Sequence, residues 1–260
     1  MAITCAVSSA AALAALSAGA GAPVPTPPQT ADRLVGALPA RVEPAFTPGE
    51  PRRLGSVRHV SHWAPVIRAV SARTAPDAGA PVAATLSEST PEGTRNLVAV
   101  IDRRTDRNGV GWVRARLPVL PNDLTGWVPR RSLGGYQAVR TRLDIDLRRL
   151  RATLYRSGRP ILRADVGVGM AGWATPKGRF YIRNKLTRYR SATYGPVAFG
   201  TSARSPSATD WPAGGFVGIH GTDRPQLLPG RVSHGCIRMR NADILELARS
   251  MPIGTPVRIH

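Results

Sequence analysis

The residues best able to do chemistry gather in two short segments, Ile219-His220-Gly221-Thr222 and Ser233-His234-Gly235-Cys236-Ile237-Arg238. A cysteine attacks as its thiolate, and a nearby imidazole can take the proton and hold the resulting ion pair. His220 and Cys236 lie 16 residues apart, across a stretch that holds Pro225, Pro229 and Gly230. Such a turn-rich connection lets a histidine at a strand end meet a cysteine on the returning loop. Gly235 tolerates an unusual backbone and leaves room for a carbonyl oxygen to reach main-chain amides, the makings of an oxyanion hole. Read singly, a cysteine is usually a small buried hydrophobe and a histidine a structural residue. Ser-His-Gly-Cys with His220 upstream favours nucleophilic catalysis. His220, His234 and Cys236 could also ligate zinc, but no C-x-x-C or H-E-x-x-H spacing accompanies them, so zinc is not expected.

These residues need a scaffold, and the surrounding sequence is strand-rich. Leu143 to Leu147 and Ala152 to Tyr155 alternate apolar and polar residues, with Ser157-Gly158 as a hairpin turn before Ile161 to Val168. Gly178 to Ile182, Val197 to Gly200 and Gly215 to His220 add strands. One helix is expected over Asn241 to Ser250, with Asn241 as N-cap, a buried stripe of Ile244, Leu247 and Ala248, and Pro252 past its end. Upstream, short strands are expected at Ala64 to Ala72, Val82 to Leu86, Leu97 to Ile101, Val110 to Leu117 and Gly126 to Val128. Trp112 and Trp127 suit a small barrel core. Two β-rich units with one short helix make an all-β protein.

The chain has 260 residues, with 36 basic against 16 acidic and a formal net charge of +20. Lysine supplies only Lys177 and Lys185, so arginine carries almost all of that charge. This favours polyanionic partners, whether nucleic acid, anionic lipid headgroups or an anionic cell-wall polymer, and charge alone does not choose among them. The basic residues are spread along the chain with no nucleic-acid-binding motif, so nucleic acid is not an expected partner. Residues 1–22 are uncharged and rich in Ala, Leu and Ser, with small residues near Ala22 that suit signal-peptidase cleavage, though a positive n-region is missing. Residues 23–56 are Pro-rich and read as an extended spacer. Cys5 lies inside the leader, so cleavage would leave Cys236 as the only thiol; Cys5 as a lipid-attachment site fits its flanking residues poorly. No transmembrane segment is expected in the mature chain, and the setting is extracytoplasmic, in the cell envelope.

The His220-Gly221-Thr222 and Ser233-His234-Gly235-Cys236-Ile237-Arg238 segments resemble the L,D-transpeptidase catalytic-domain family. Ala174-Thr175-Pro176-Lys177-Gly178-Arg179-Phe180-Tyr181-Ile182 and Gly254-Thr255-Pro256-Val257 extend the likeness over residues 139–260. Ser71-Ala72-Arg73-Thr74-Ala75-Pro76 and Gly126-Trp127-Val128-Pro129, within residues 57–134, resemble a bacterial Src-homology-3-like domain. The resemblance implies an all-β chain in which a small Src-homology-3-like barrel precedes a transpeptidase β-sandwich. It implies peptidoglycan stem peptides as substrate: Cys236 forms a thioester with loss of D-alanine, and an amine of a second stem closes a 3→3 cross-link. His220 would move the proton, oriented by a carbonyl near Gly221. The amides of Gly235 and Cys236 would hold the oxyanion, Ser233 and His234 would shape the loop and contact substrate, Arg238 would be a stabilising or carboxylate-facing cation, and no metal or organic cofactor would be needed. An L,D-carboxypeptidase, in which water takes the thioester, and a non-catalytic wall-binding protein remain alternatives. The first unit holds neither Cys236 nor His220 and ends at Leu133-Gly134-Gly135, a linker by composition. It is expected to aid wall localisation and to be dispensable for the chemistry.

Overall fold

The chain folds mainly into strands, with a single α-helix among the residues described, in a computed structural model that describes residues 59–189, 191–205 and 215–260. The leader and Pro-rich spacer lie outside them.

The first sheet has seven strands: β1 (Ser61–Pro65), β2 (Val70–Arg73), β3 (Val82–Leu86), β4 (Leu97–Thr105), β5 (Gly111–Arg116), β6 (Thr125–Pro129) and β7 (Gln137–Val139), in the order β3-β2-β6-β5-β4-β1-β7. All its pairings are antiparallel, and β3 and β7 form its edges. The single strand expected over Ala64 to Ala72 is two strands, because Pro65 lacks the amide hydrogen that would continue the ladder and Ile67 to Ala69 turn outward, exposed. One face buries Ala64, Val66, Leu86, Val98, Val113, Leu117 and Val128. Trp112 is buried and donates from Nε1 to Asp106 Oδ2 at 2.9 Å. The Leu133 stretch is no loose linker. Leu133 is buried, the Gly134 amide donates to the Pro65 carbonyl at 2.8 Å, and β7 continues the sheet beyond it.

The second sheet has ten strands: β8 (Thr141–Asp146), β9 (Arg151–Arg156), β10 (Arg159–Asp165), β11 (Gly167–Gly169), β12 (Gly178–Leu186), β13 (Ala198–Arg204), β14 (Phe216–His220), β15 (Gly230–Ser233), β16 (Ile237–Arg238) and β17 (Pro256–Ile259). Their order is β10-β9-β8-β17-β12-β13-β14-β16-β11-β15. Three pairs are parallel, β8 with β17, β14 with β16, and β11 with β15. Parallel neighbours need crossover connections, so this sheet joins residues far apart in sequence. Helix α1 (Asn241–Ser250) buries Ile244 and Leu247 against the sheet, with Ala248 partly buried beside them. Its N-cap is Arg240, not Asn241. The Asn241 side chain is committed elsewhere, accepting the Thr222 amide hydrogen at 3.0 Å.

Both sheets fall within one compact unit. Buried Tyr181 of β12 donates its hydroxyl to the Leu97 carbonyl of β4 at 3.1 Å. Arg183, also on β12, donates to Glu92 at 2.7 Å, and both side chains are almost fully buried. These are polar contacts between buried side chains, where an unpaired partner is costly.

Candidate active site

Pairing of β14 with β16 sets Ile219 beside Ile237 and His220 beside Arg238. Because β16 directly follows the Ser233-His234-Gly235-Cys236 loop, this one register carries the cysteine segment back to the histidine strand. Both residues are buried, His220 at 2% and Cys236 at 3% exposure.

The Gly218 amide donates to Cys236 Sγ at 3.4 Å. An N–H directed at sulfur favours the thiolate over the thiol. His220 Nδ1 lies 2.7 Å from the Gly221 carbonyl oxygen. A carbonyl only accepts, so the hydrogen sits on Nδ1 and the basic lone pair on Nε2. Asn241 steadies this turn through the Thr222 amide, and a Cβ on Gly221 would collide with the Asn241 side-chain oxygen. The edge of Tyr194 packs against the His220 ring, centroids 4.6 Å apart.

The cysteine loop is held from within. Gly235 takes φ +113°, a conformation that side-chain-bearing residues rarely adopt. Ser233 Oγ donates to the Cys236 carbonyl at 2.5 Å and accepts the Gly235 amide at 3.2 Å. Of the two amides expected to receive an oxyanion, that of Gly235 is therefore already engaged by the loop's own serine. Thr175 Oγ1 donates to the Gly235 carbonyl and accepts the Gly169 amide, both at 2.9 Å, tying the loop to β11. His234 meets the ring of Trp173 edge-on at 4.5 Å, so Trp173 packs against the loop. Arg238 Nε is buried with no hydrogen-bond partner.

A cavity of about 650 Å³ borders the site, with Tyr194 and Ala198 on its wall. Ala198 and Phe216 pack with Cys236 in one small apolar cluster. Tyr189 lines the cavity too, and burial, then Tyr194, push its phenol up to about 12. Glu92 and Thr94 of the first sheet's β3–β4 connection complete the wall. Glu92 holds Arg183, whose guanidinium lies 3.7 Å from the centre of the Phe216 ring. Burial lowers the Arg183 pKa, and the Glu92 carboxylate opposes that shift. The unit expected to be dispensable thus reaches the cysteine cluster through Glu92, Arg183 and Phe216. No group of three His, Cys, Asp or Glu among the described residues could hold a metal ion.

The register, the loop and the histidine turn all fall in one matched segment, since residues 140–259 match YkuD, the L,D-transpeptidase catalytic domain. This segment belongs to the L,D-transpeptidase catalytic-domain family. Within it the chain is similar to the Putative L,D-transpeptidase YkuD of Bacillus licheniformis, 36% identical over 45% of this chain and 64% of that protein. It is 40% identical to the Bacillus subtilis protein of the same name, over 42% of this chain and 58% of that one. The chain thus spans about three fifths of the length of these curated relatives. A solved structure, the catalytic domain from E. faecium L,D-transpeptidase, is 28% identical with a TM-score of 0.36, covering 46% of this chain and 96% of that one.

Sequence reasoning missed Asn241, Tyr194, Glu92 and Arg183. Asn241 offered a signal, an Asn at a helix start, but one that reads equally well as a cap. Glu92 offered none, because a lone acid in a Thr-Pro-Glu-Gly turn reads as solvated surface.

Proposed function

We propose that the chain is a peptidoglycan L,D-transpeptidase that forms 3→3 cross-links through a Cys236 thioester. The observation that carries this reading is the arrangement of Cys236 and His220. A backbone amide points at the sulfur, and a histidine with its lone pair on Nε2 stands on the strand paired to the cysteine segment.

In this reading the Cys236 thiolate attacks the carbonyl between the third and fourth residues of a tetrapeptide stem. The carbon–sulfur bond forms and the peptide bond breaks. His220, which took the thiol proton on Nε2, gives it to the departing D-alanine amine. The amine of a second stem then attacks the thioester, loses its proton to His220, and returns the sulfur as thiolate. The Cys236 amide is the better placed of the two expected donors for the oxyanion, since Ser233 holds that of Gly235. Arg238 Nε, buried without a partner, suits a substrate carboxylate. The first sheet, in this reading a Src-homology-3-like unit, also walls the cavity. The protein would work in the cell envelope; no described helix is long and apolar enough to cross a membrane.

Incubation of the full chain with a tetrapeptide-stem muropeptide tests the assignment. Cross-linked dimer supports it, and tripeptide alone assigns an L,D-carboxypeptidase. Neither product, from folded protein, leaves a wall-binding role.

A further inference from the structure

On the antiparallel pair β12–β17, Arg179 stands directly opposite Arg258. Like charges in directly opposed positions destabilise a sheet. Both side chains are exposed, on the face opposite core residues Phe180 and Val257, and neither is paired with a carboxylate among the described residues. They line a cleft of about 460 Å³ between the two sheets, joined by Arg116 of β5, Arg142 of β8 and His62 of β1. No carboxylate lines it. The nearest acids are committed: Asp123 pairs with Arg116 and accepts the Arg179 amide, and Asp144, beside Arg258 on β8, pairs with Arg142 at 2.9 Å. Burial lowers the Arg116 pKa, Asp123 opposes that shift, and repulsion from Arg179 and Arg114 adds to it.

Four guanidiniums converging with two carboxylates leave a cleft whose charge the protein does not balance. We propose that this cleft is an anion-binding site for phosphate groups, seated on Arg179 and Arg258 with Arg116 and Arg142 at the sides. Planar guanidinium forks match the paired oxygens of a phosphate. An anion there would offset the Arg179–Arg258 repulsion, so binding and fold stability rise together. The cleft has room for one or two phosphate groups and their linking atoms. The source is a free phosphate or a phosphodiester polymer of the envelope. The site lies outside the Cys236 loop and stands independently of the catalytic reading.

The test is calorimetric titration of the full chain at fixed ionic strength with sodium pyrophosphate and, separately, with a glycerol-phosphate oligomer. Wild-type protein is expected to bind saturably. The pair Arg179→Gln with Arg258→Gln should lose about tenfold or more in affinity, as removal of two charge-assisted forks requires. Its unliganded melting temperature should equal or exceed that of wild type. Arg159→Gln with Arg163→Gln, an equal charge change on the exposed side of β10, should shift affinity by no more than about twofold, as expected of screened surface charge. Equal affinity per phosphate for both ligands assigns a free anion. Tighter, more salt-sensitive binding of the oligomer assigns a polymer, and either result supports the site. No saturable heat with either ligand, or an equal loss in the control pair, overturns it.

Discussion

The two sheets are built by different rules. The first pairs its strands antiparallel throughout, and small and branched apolar residues fill its core. The second threads strands from distant parts of the chain into parallel pairs, and the β14–β16 pair brings the histidine and cysteine segments together. Chemistry sits at a parallel pair, a kind of pairing the first sheet lacks. An antiparallel pair can close over a two-residue turn, whereas a parallel pair needs a longer crossover, and between β14 and β16 that crossover carries the Ser233–Cys236 loop. The first sheet joins the site at its border, through Glu92 and Thr94.

The largest expected effect lies in the second sheet alone. His220→Ala should slow muropeptide turnover about 10²–10⁴-fold, the usual contribution of a positioned acid–base group. Far-UV circular dichroism should be unchanged, whereas an equal loss after a first-sheet substitution such as Trp112→Phe would break the contrast between the sheets.

Next comes the border. Glu92→Ala leaves buried Arg183 without its counter-charge, which should cost about 3–5 kcal/mol in denaturant unfolding. Replacing both residues together, Glu92→Leu with Arg183→Met, should recover most of that loss. A segment beginning at Gly135 loses Glu92, β1 and Leu97 at once, and is expected to melt well below the full chain. Equal melting temperatures would show that the sheets are independent after all.

Within the second sheet, Thr175→Val removes the hydroxyl that joins the Gly169 amide to the Gly235 carbonyl. Two buried backbone groups lose their partner, so a loss of about 1–3 kcal/mol is expected from thermal unfolding. The smallest effect belongs to the first sheet. Hydrogen bonds from Trp112 and from the Val110 and Asn108 amides hold the Asp106 carboxyl below its usual range. A depressed carboxyl stabilises the fold above its unfolded pKa and loses that contribution as pH falls through the folded value. Asp106→Asn should therefore lower the melting temperature slightly at pH 7, and the gap from wild type should close as the pH falls through the folded value, beneath the ordinary carboxyl range.

Much of this was legible in the sequence, for reasons that differ by region. Val82–Leu86 and Asn241–Ser250 fall where local patterning puts them, because turn residues bracket the first and a 3.6-residue stripe marks the second. The Ser-His-Gly-Cys segment was readable because its chemistry is local. What escaped depends on distant partners. Buried Arg183 looks like any other of the chain's arginines until Glu92 arrives from another sheet. Arg179 and Arg258 become neighbours only through the β12–β17 register. Asn241 reads as a cap until the Thr222 amide occupies it.

The central claim is that Cys236 is the acyl-accepting nucleophile. Intact-protein mass spectrometry after mixing the full chain with a tetrapeptide-stem donor, without acceptor and quenched in acid, tests it most directly. The account predicts an adduct equal in mass to the stem less D-alanine, located on Cys236 and missing from a folded Cys236→Ala variant. An adduct that persists in that variant, or D-alanine release at the wild-type rate without Cys236, would contradict it.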